Sequence, residues 1–167
     1  MDPYREVPPN KYRLRSQTAT DVCRVAGGQW GVISASWYVF PADGSSRAEG
    51  FLVLADEDVA ELVTMLADPA AGTATLYLSG TGVFATPPIY DHTVHAAVGD
   101  GYGYLSHWDL NNDLAYSRGE PDSPGLASER EKFPAGSGLS LASFRAALTE
   151  LLHTGQRPSA VEWAGAA

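Results

Sequence analysis

Three spacings in this sequence bring together residue types that could do chemistry. Asp109, Asn111 and Asp113 alternate, and Glu120 stands twelfth in the same run, an order of oxygen donors like that of an EF-hand calcium loop. The sixth position of such a loop needs Gly for its sharp turn, and Leu114 is there instead. Pro121, directly after Glu120, bars the helix that should follow. Gly80, Gly82 and Ala85 fit the loose form of a phosphate-cradling loop, which requires a helix N-terminus immediately behind it. Thr86-Pro87-Pro88 blocks that helix. His92 and His95 lie three apart on a strand, so they face opposite ways. His107 could approach His95 across a hairpin, but no third ligand accompanies them, and a partly buried polar role in the sheet suits both better. The single cysteine, Cys23, lies near a charged arm and reads as a small hydrophobe or a spectator, and no G-x-S-x-G elbow occurs. No enzyme signature emerges, and no cofactor or metal is implied.

What remains is surface. The stretch 99–131 interleaves aromatic rings with acids and amides, and rings can anchor a partner that carboxylates steer in. The candidate partner-binding residues are Asp100, Tyr102, Trp108, Asp109, Asn111, Asn112, Asp113, Tyr116, Glu129 and Glu131. About half of the aromatics should face the core instead, as the period of two along a strand allows. Charge says what kind of partner fits. Twenty Asp and Glu against eleven Lys and Arg give a net charge of −9. Residues 1–19 carry four basic and two acidic side chains, which leaves −11 on residues 20–167. A body that negative repels nucleic acid and anionic membrane and attracts basic proteins.

The elements that must position these residues can be read from periodicity. Residues 1–28 hold three prolines and scattered charges and read as an extended arm; 29–167 read as one domain. Residues 29–40 and 50–54 form a first hairpin across the turn 41–46. Asp56-Glu57-Asp58 opens a helix with Val59, Leu62, Val63 and Leu66 on one face, Asp58 and Glu61 having a weak capping-box spacing. Asp68-Pro69 ends it. Strands follow at 73–79, 93–98, 102–108 and 114–117, then a loop at 120–125 and a strand over 126–133 with its charges alternating on an exposed face. Ser140 caps a second helix with a stripe of Leu141, Phe144, Leu148, Leu151 and Leu152, and Gly155 closes it. Residues 159–163 make a last strand. The expected class is α+β: a single domain, mostly antiparallel sheet, with two principal helices packed on one face. No apolar leader and no membrane-spanning run is present, so the expected location is the cytoplasm, which the lone cysteine also suits.

Three segments carry a family resemblance. Residues 95–109 (His-Ala-Ala-Val-Gly-Asp-Gly-Tyr-Gly-Tyr-Leu-Ser-His-Trp-Asp) resemble a sheet hairpin, and 131–141 a strand-to-helix passage, of the Imm-one family of polymorphic-toxin immunity proteins. Residues 144–163 resemble that family's ending, with Gly155, Arg157, Pro158, Glu162 and Trp163 the most specific part. The match covers about 51–163. It implies an α+β protein without catalysis, made beside a secreted bacterial toxin, whose toxic domain it binds and neutralises. Family members commonly accompany nucleic-acid deaminases or nucleases, and a toxin of that kind needs a basic cleft, which an acidic body could occlude. The family ending does not mark the toxin-binding residues. A small-ligand or calcium-binding module is the alternative, and oligomeric state stays open.

Overall fold

A computed structural model describes residues 31–78 and 91–166. The N-terminal arm 1–28 with Cys23, and the Gly80–Ala85 motif, lie outside the described residues. Among the described residues, ten strands and two helices follow in the order β1 (Ile33–Val39), β2 (Arg47–Val53), α1 (Asp56–Leu66), β3 (Ala74–Leu78), β4 (His92–Gly99), β5 (Tyr102–Asp109), β6 (Asn112–Arg118), β7 (Leu126–Ala127), β8 (Lys132–Phe133), β9 (Leu139–Ser140), α2 (Leu141–Thr154) and β10 (Glu162–Gly165). The main sheet runs β10-β6-β5-β4-β3-β1-β2, with β9 paired to the start of β5 and every pairing antiparallel. This is the α+β architecture expected from the sequence.

Both helices cover one face of the sheet. Alternation puts Ile33, Ala35, Trp37 and Val39 of β1 on that face, beside Leu76, Val94 and Leu105 of the next strands. The stripes of α1 (Val59, Leu62, Val63, Leu66) and α2 (Phe144, Ala147, Leu148, Leu151, Leu152) close over them in one core. Gly103 lets α2 approach closely, because a Cβ there would overlap the Phe144 side chain. Leu141 is the exception to the stripe read from the sequence. It opens α2 on the exposed side, above the core.

The helix ends are built as their chemistry dictates, with one correction. Ser140 accepts from the Ser143 N–H at 3.1 Å, and Gly155 adopts φ 63° to terminate α2. Asp58 does not cap α1 but lies three residues inside it, behind Ala55. Its carboxylate reaches back to accept the Leu54 and Ala55 N–H groups at 2.9 and 3.1 Å. The last strand starts at Glu162 rather than 159, because the Glu150 carboxylate takes the Ser159 and Ala160 N–H groups, both at 2.8 Å, away from any ladder.

The opposite face carries a flap. The single strand expected over 126–133 is instead two short strands, β7 and β8, paired to one another around a turn at 128–131. Ser128 makes that turn: its Oγ accepts the Arg130 and Glu131 N–H groups, and its N–H donates to the Glu131 carbonyl. Phe133 and Leu126 of the flap pack on Ala97, Tyr102, Tyr104 and Tyr116 as a second, smaller core. The Tyr104 hydroxyl pins the flap further by donating to the Pro124 carbonyl at 2.8 Å. No helix among the described residues is long and apolar enough to cross a membrane.

Candidate functional site

The ladder registers line up one row across the flap-bearing face: Thr75, His95, Ser106 and Tyr116 on four neighbouring strands. Glu131 turns down onto this row. Its carboxylate bonds His95 Nδ1 at 2.9 Å, the Ser106 hydroxyl at 3.1 Å and the Tyr116 hydroxyl at 2.9 Å. Beside it, Arg130 donates to Thr75 Oγ1 at 2.7 Å and lays its guanidinium over the Tyr38 ring at 5.5 Å. Burial alone would raise the Glu131 carboxyl, but the donors from His95, Tyr116, the Lys132 backbone and Ser106 outweigh it and hold it below its ordinary value. Burial pushes the Tyr116 hydroxyl up, and the Glu131 charge pushes it further. Glu, His and Ser meet here, but Ser106 Oγ donates to Glu131 and is buried beneath it. The cluster is a clip that holds the flap down.

His95 and His107 do not approach one another. His107 pairs with Val94 and therefore points to the helix face, away from His95. It sits edge-on to Trp163 at 5.8 Å, only 1% exposed, with Nε2 3.8 Å from the Asp109 carboxylate. Burial, only partly countered by Asp109, drives its pKa down to about 4, so the ring is neutral at pH 7. Arg157 lies over the Trp163 ring at 4.6 Å and donates to Asn112 Oδ1 at 3.3 Å. The Trp163 indole donates to the Pro158 carbonyl at 2.8 Å. The Gly-x-Arg-Pro and Glu-Trp ending thus acts as a lock that fastens β10 and the turn after α2 to the sheet.

The ten residues singled out from the sequence fall in three places. Trp108, Asp109, Asn111, Asn112 and Asp113 gather at the β5–β6 turn, where Leu110 is 71% exposed at the tip. Asp109 shapes that turn by accepting the Asn111 N–H at 2.8 Å and the Asn112 amide at 2.9 Å. Burial raises its carboxyl, yet these donors and His107 bring it below the ordinary value. Oxygens spent in this way do not form an ion cage, and no cluster of metal-ligating side chains exists among the described residues. Tyr116 and Glu131 lie in the middle, within or under the flap, whereas Tyr102 sits where β5 leaves the β4–β5 turn, packed against the flap. Asp100 is at the far end, in the β4–β5 turn with φ 52°, near Glu129. At about 3.3 Å per residue, β5 separates the two turns by roughly 23 Å.

Sequence reasoning missed Leu110, Tyr38, Phe40 and Arg130. Leu110 had a readable signal, an apolar residue between turn-forming Asp and Asn. The placement of Phe40 beside the flap had none, since it depends on pairing between distant strands.

Comparison with curated proteins and with solved structures found no match for the chain. The family model described as immunity protein Imm1 matches residues 47–165, which span the sheet from β2 to β10, both helices and the flap. The chain belongs to the Imm1 family of immunity proteins.

Proposed function

We propose that this immunity protein neutralises a cognate secreted bacterial toxin domain by occluding a basic active-site cleft, the toxin being a deaminase or nuclease that acts on nucleic acid. The observation that carries the reading is the charge of the folded body. The described residues hold seventeen Asp and Glu but only six Lys and Arg. Four of those six are already committed: Arg47 to Glu49, Arg118 to Glu162, Arg130 to Tyr38 and Thr75, and Arg157 to Trp163. Carboxylates on such a body stand where nucleic-acid phosphates would lie on the toxin, and they speed the encounter. Inhibition is by binding, without catalysis, in the cytoplasm of the producing cell, and involves neither nucleic acid nor membrane on this protein's side.

The contact residues are those of the exposed turns: Trp108, Asn111 and Asp113 at one end, Asp100 and Glu129 at the other. Tyr102, Tyr116 and Glu131 shape the face between them, while Asp109 and Asn112 set the turn that presents Trp108. The test is co-purification with the toxic domain encoded beside this gene, followed by a toxin activity assay on the complex. A stoichiometric, inhibited complex that weakens with salt is the expected outcome. A free and fully active toxin would sink the reading.

A further inference from the structure

A cleft of about 620 Å³ opens where the α1–β3 connection, the β4–β5 turn and β7 of the flap converge. That volume is in the range of sites that take a ligand or a short stretch of chain. Ala70, Ala97, Val98 and Leu126 form the apolar part of its wall. Phe40 and Leu141 also line it, and they are two of the five large hydrophobic side chains exposed among the described residues. Exposed apolar side chains gathered around one concavity mark a binding surface rather than a random surface residue.

The charge of the cleft is one-sided. No Lys, Arg or His lines it, whereas Asp100 and Glu129 do. Neither carboxylate has a hydrogen-bond or ion-pair partner among the described residues. Gly72 makes room for Glu129, since a Cβ there would stand 2.6 Å from Oε1. Ala67, the C-cap of α1, also lines the cleft, and the last turn of α1 holds no basic residue to offset its carbonyls. A helix C-terminus favours a cation. Two carboxylates and the C-terminal end of α1 therefore border a cavity with an aromatic lip.

Resting on the immunity reading above, we propose that this cleft is the anchoring pocket for an arginine-bearing loop of the toxin domain. A guanidinium can stack on the Phe40 ring and present its planar fork to the Glu129 carboxylate at once, which a lysine ammonium cannot. The chain makes the same pairing internally, with Arg130 on Tyr38 and Arg157 on Trp163. Phe40 lies 6.4 Å from Tyr38, ring centre to ring centre, and carries no such guanidinium among the described residues. The aliphatic stem of the arginine and its neighbours fill the Ala-Val-Leu wall.

The test is calorimetric titration of the full chain and its variants with the toxic domain encoded beside the gene, at low and high salt. Asp100→Asn combined with Glu129→Gln removes both charges and keeps shape, and Asn tolerates the positive φ at position 100. Phe40→Ala removes the stacking ring independently. Glu57→Gln, an exposed acid at the other end of α1, is the control. We expect each cleft variant to bind about tenfold or more weakly, with melting temperature unchanged, and the double variant to lose part of its salt dependence. The control should bind as the wild type does. If the wild type inhibits and both cleft variants bind equally tightly, the pocket is overturned and the immunity reading stands. If the wild type leaves the toxin free, both fall together.

Discussion

Replacing Glu131 with Ala should unclip the flap. The substitution removes bonds to His95 Nδ1, the Ser106 and Tyr116 hydroxyls, and the Lys132 N–H at 3.2 Å. His95 and Tyr116 can turn towards water, but Ser106, 1% exposed, is left without that acceptor under the flap. A stranded buried donor costs about 1–3 kcal/mol, and bonds to a charged group contribute more than neutral ones. The sum is about 3 kcal/mol, a large share of the roughly 5–15 kcal/mol that holds a domain folded. For a chain of this size that lowers Tm by roughly 6–12 °C. Urea unfolding and thermal melting at pH 7 read the loss directly, and tryptic cleavage at Arg130 or Lys132 should speed up as the flap loosens. The pH dependence gives a second check. The Glu131 carboxyl is lowered in the fold, so its stabilisation is complete above the unfolded-chain value of roughly 4.3 and is lost as pH falls through the folded value. The acid limb of the stability curve should therefore flatten in Glu131→Gln. A loss below about 1 kcal/mol in the Ala variant, with the acid limb unchanged, would refute the clip.

Three further outcomes follow from the packing. The buried His107 ring, with its pKa near 4, should show no titration by NMR between pH 8 and 5.5; stability should fall as pH drops from 6.5 towards 4, because only the unfolded chain takes up the proton there. A midpoint near 6.5 would show that the ring is solvated. Gly103→Ala should destabilise by about 1–3 kcal/mol in urea, because the new methyl overlaps Phe144 and α2 must shift off β5. Trp163→Ala should cost about 3–5 kcal/mol and loosen β10, since it empties the space between His107 and Arg157 and removes the bond to Pro158; amide exchange in 162–165 as slow as in the wild type would argue against the lock.

Local chemistry was legible wherever one segment settles its own geometry. The two helices announce themselves through apolar residues three and four apart, and Ser140 and Gly155 mark the ends of the second because capping needs only near neighbours. The net negative charge and the Gly-x-Arg-Pro and Glu-Trp ending were likewise readable without coordinates. Which residues meet across the sheet was not. Alternation says that His92 and His95 part company, but only the β4–β5 register sends His107 to the helix face and Ser106 to the flap face. The stretch 126–133 has a strand-like pattern, yet the Glu131 carboxylate finds three donors inside the molecule and folds the segment into a flap. Phe40 and Leu141 are about a hundred residues apart, with Asp100 and Glu129 between them, and nothing local brings the four to one cleft. The sequence determined the two helices, most of the longer strands and the family. Strand pairing between distant segments, which depends on the packed core rather than on any local preference, decided where the surface opens and which acids stand without a partner among the described residues.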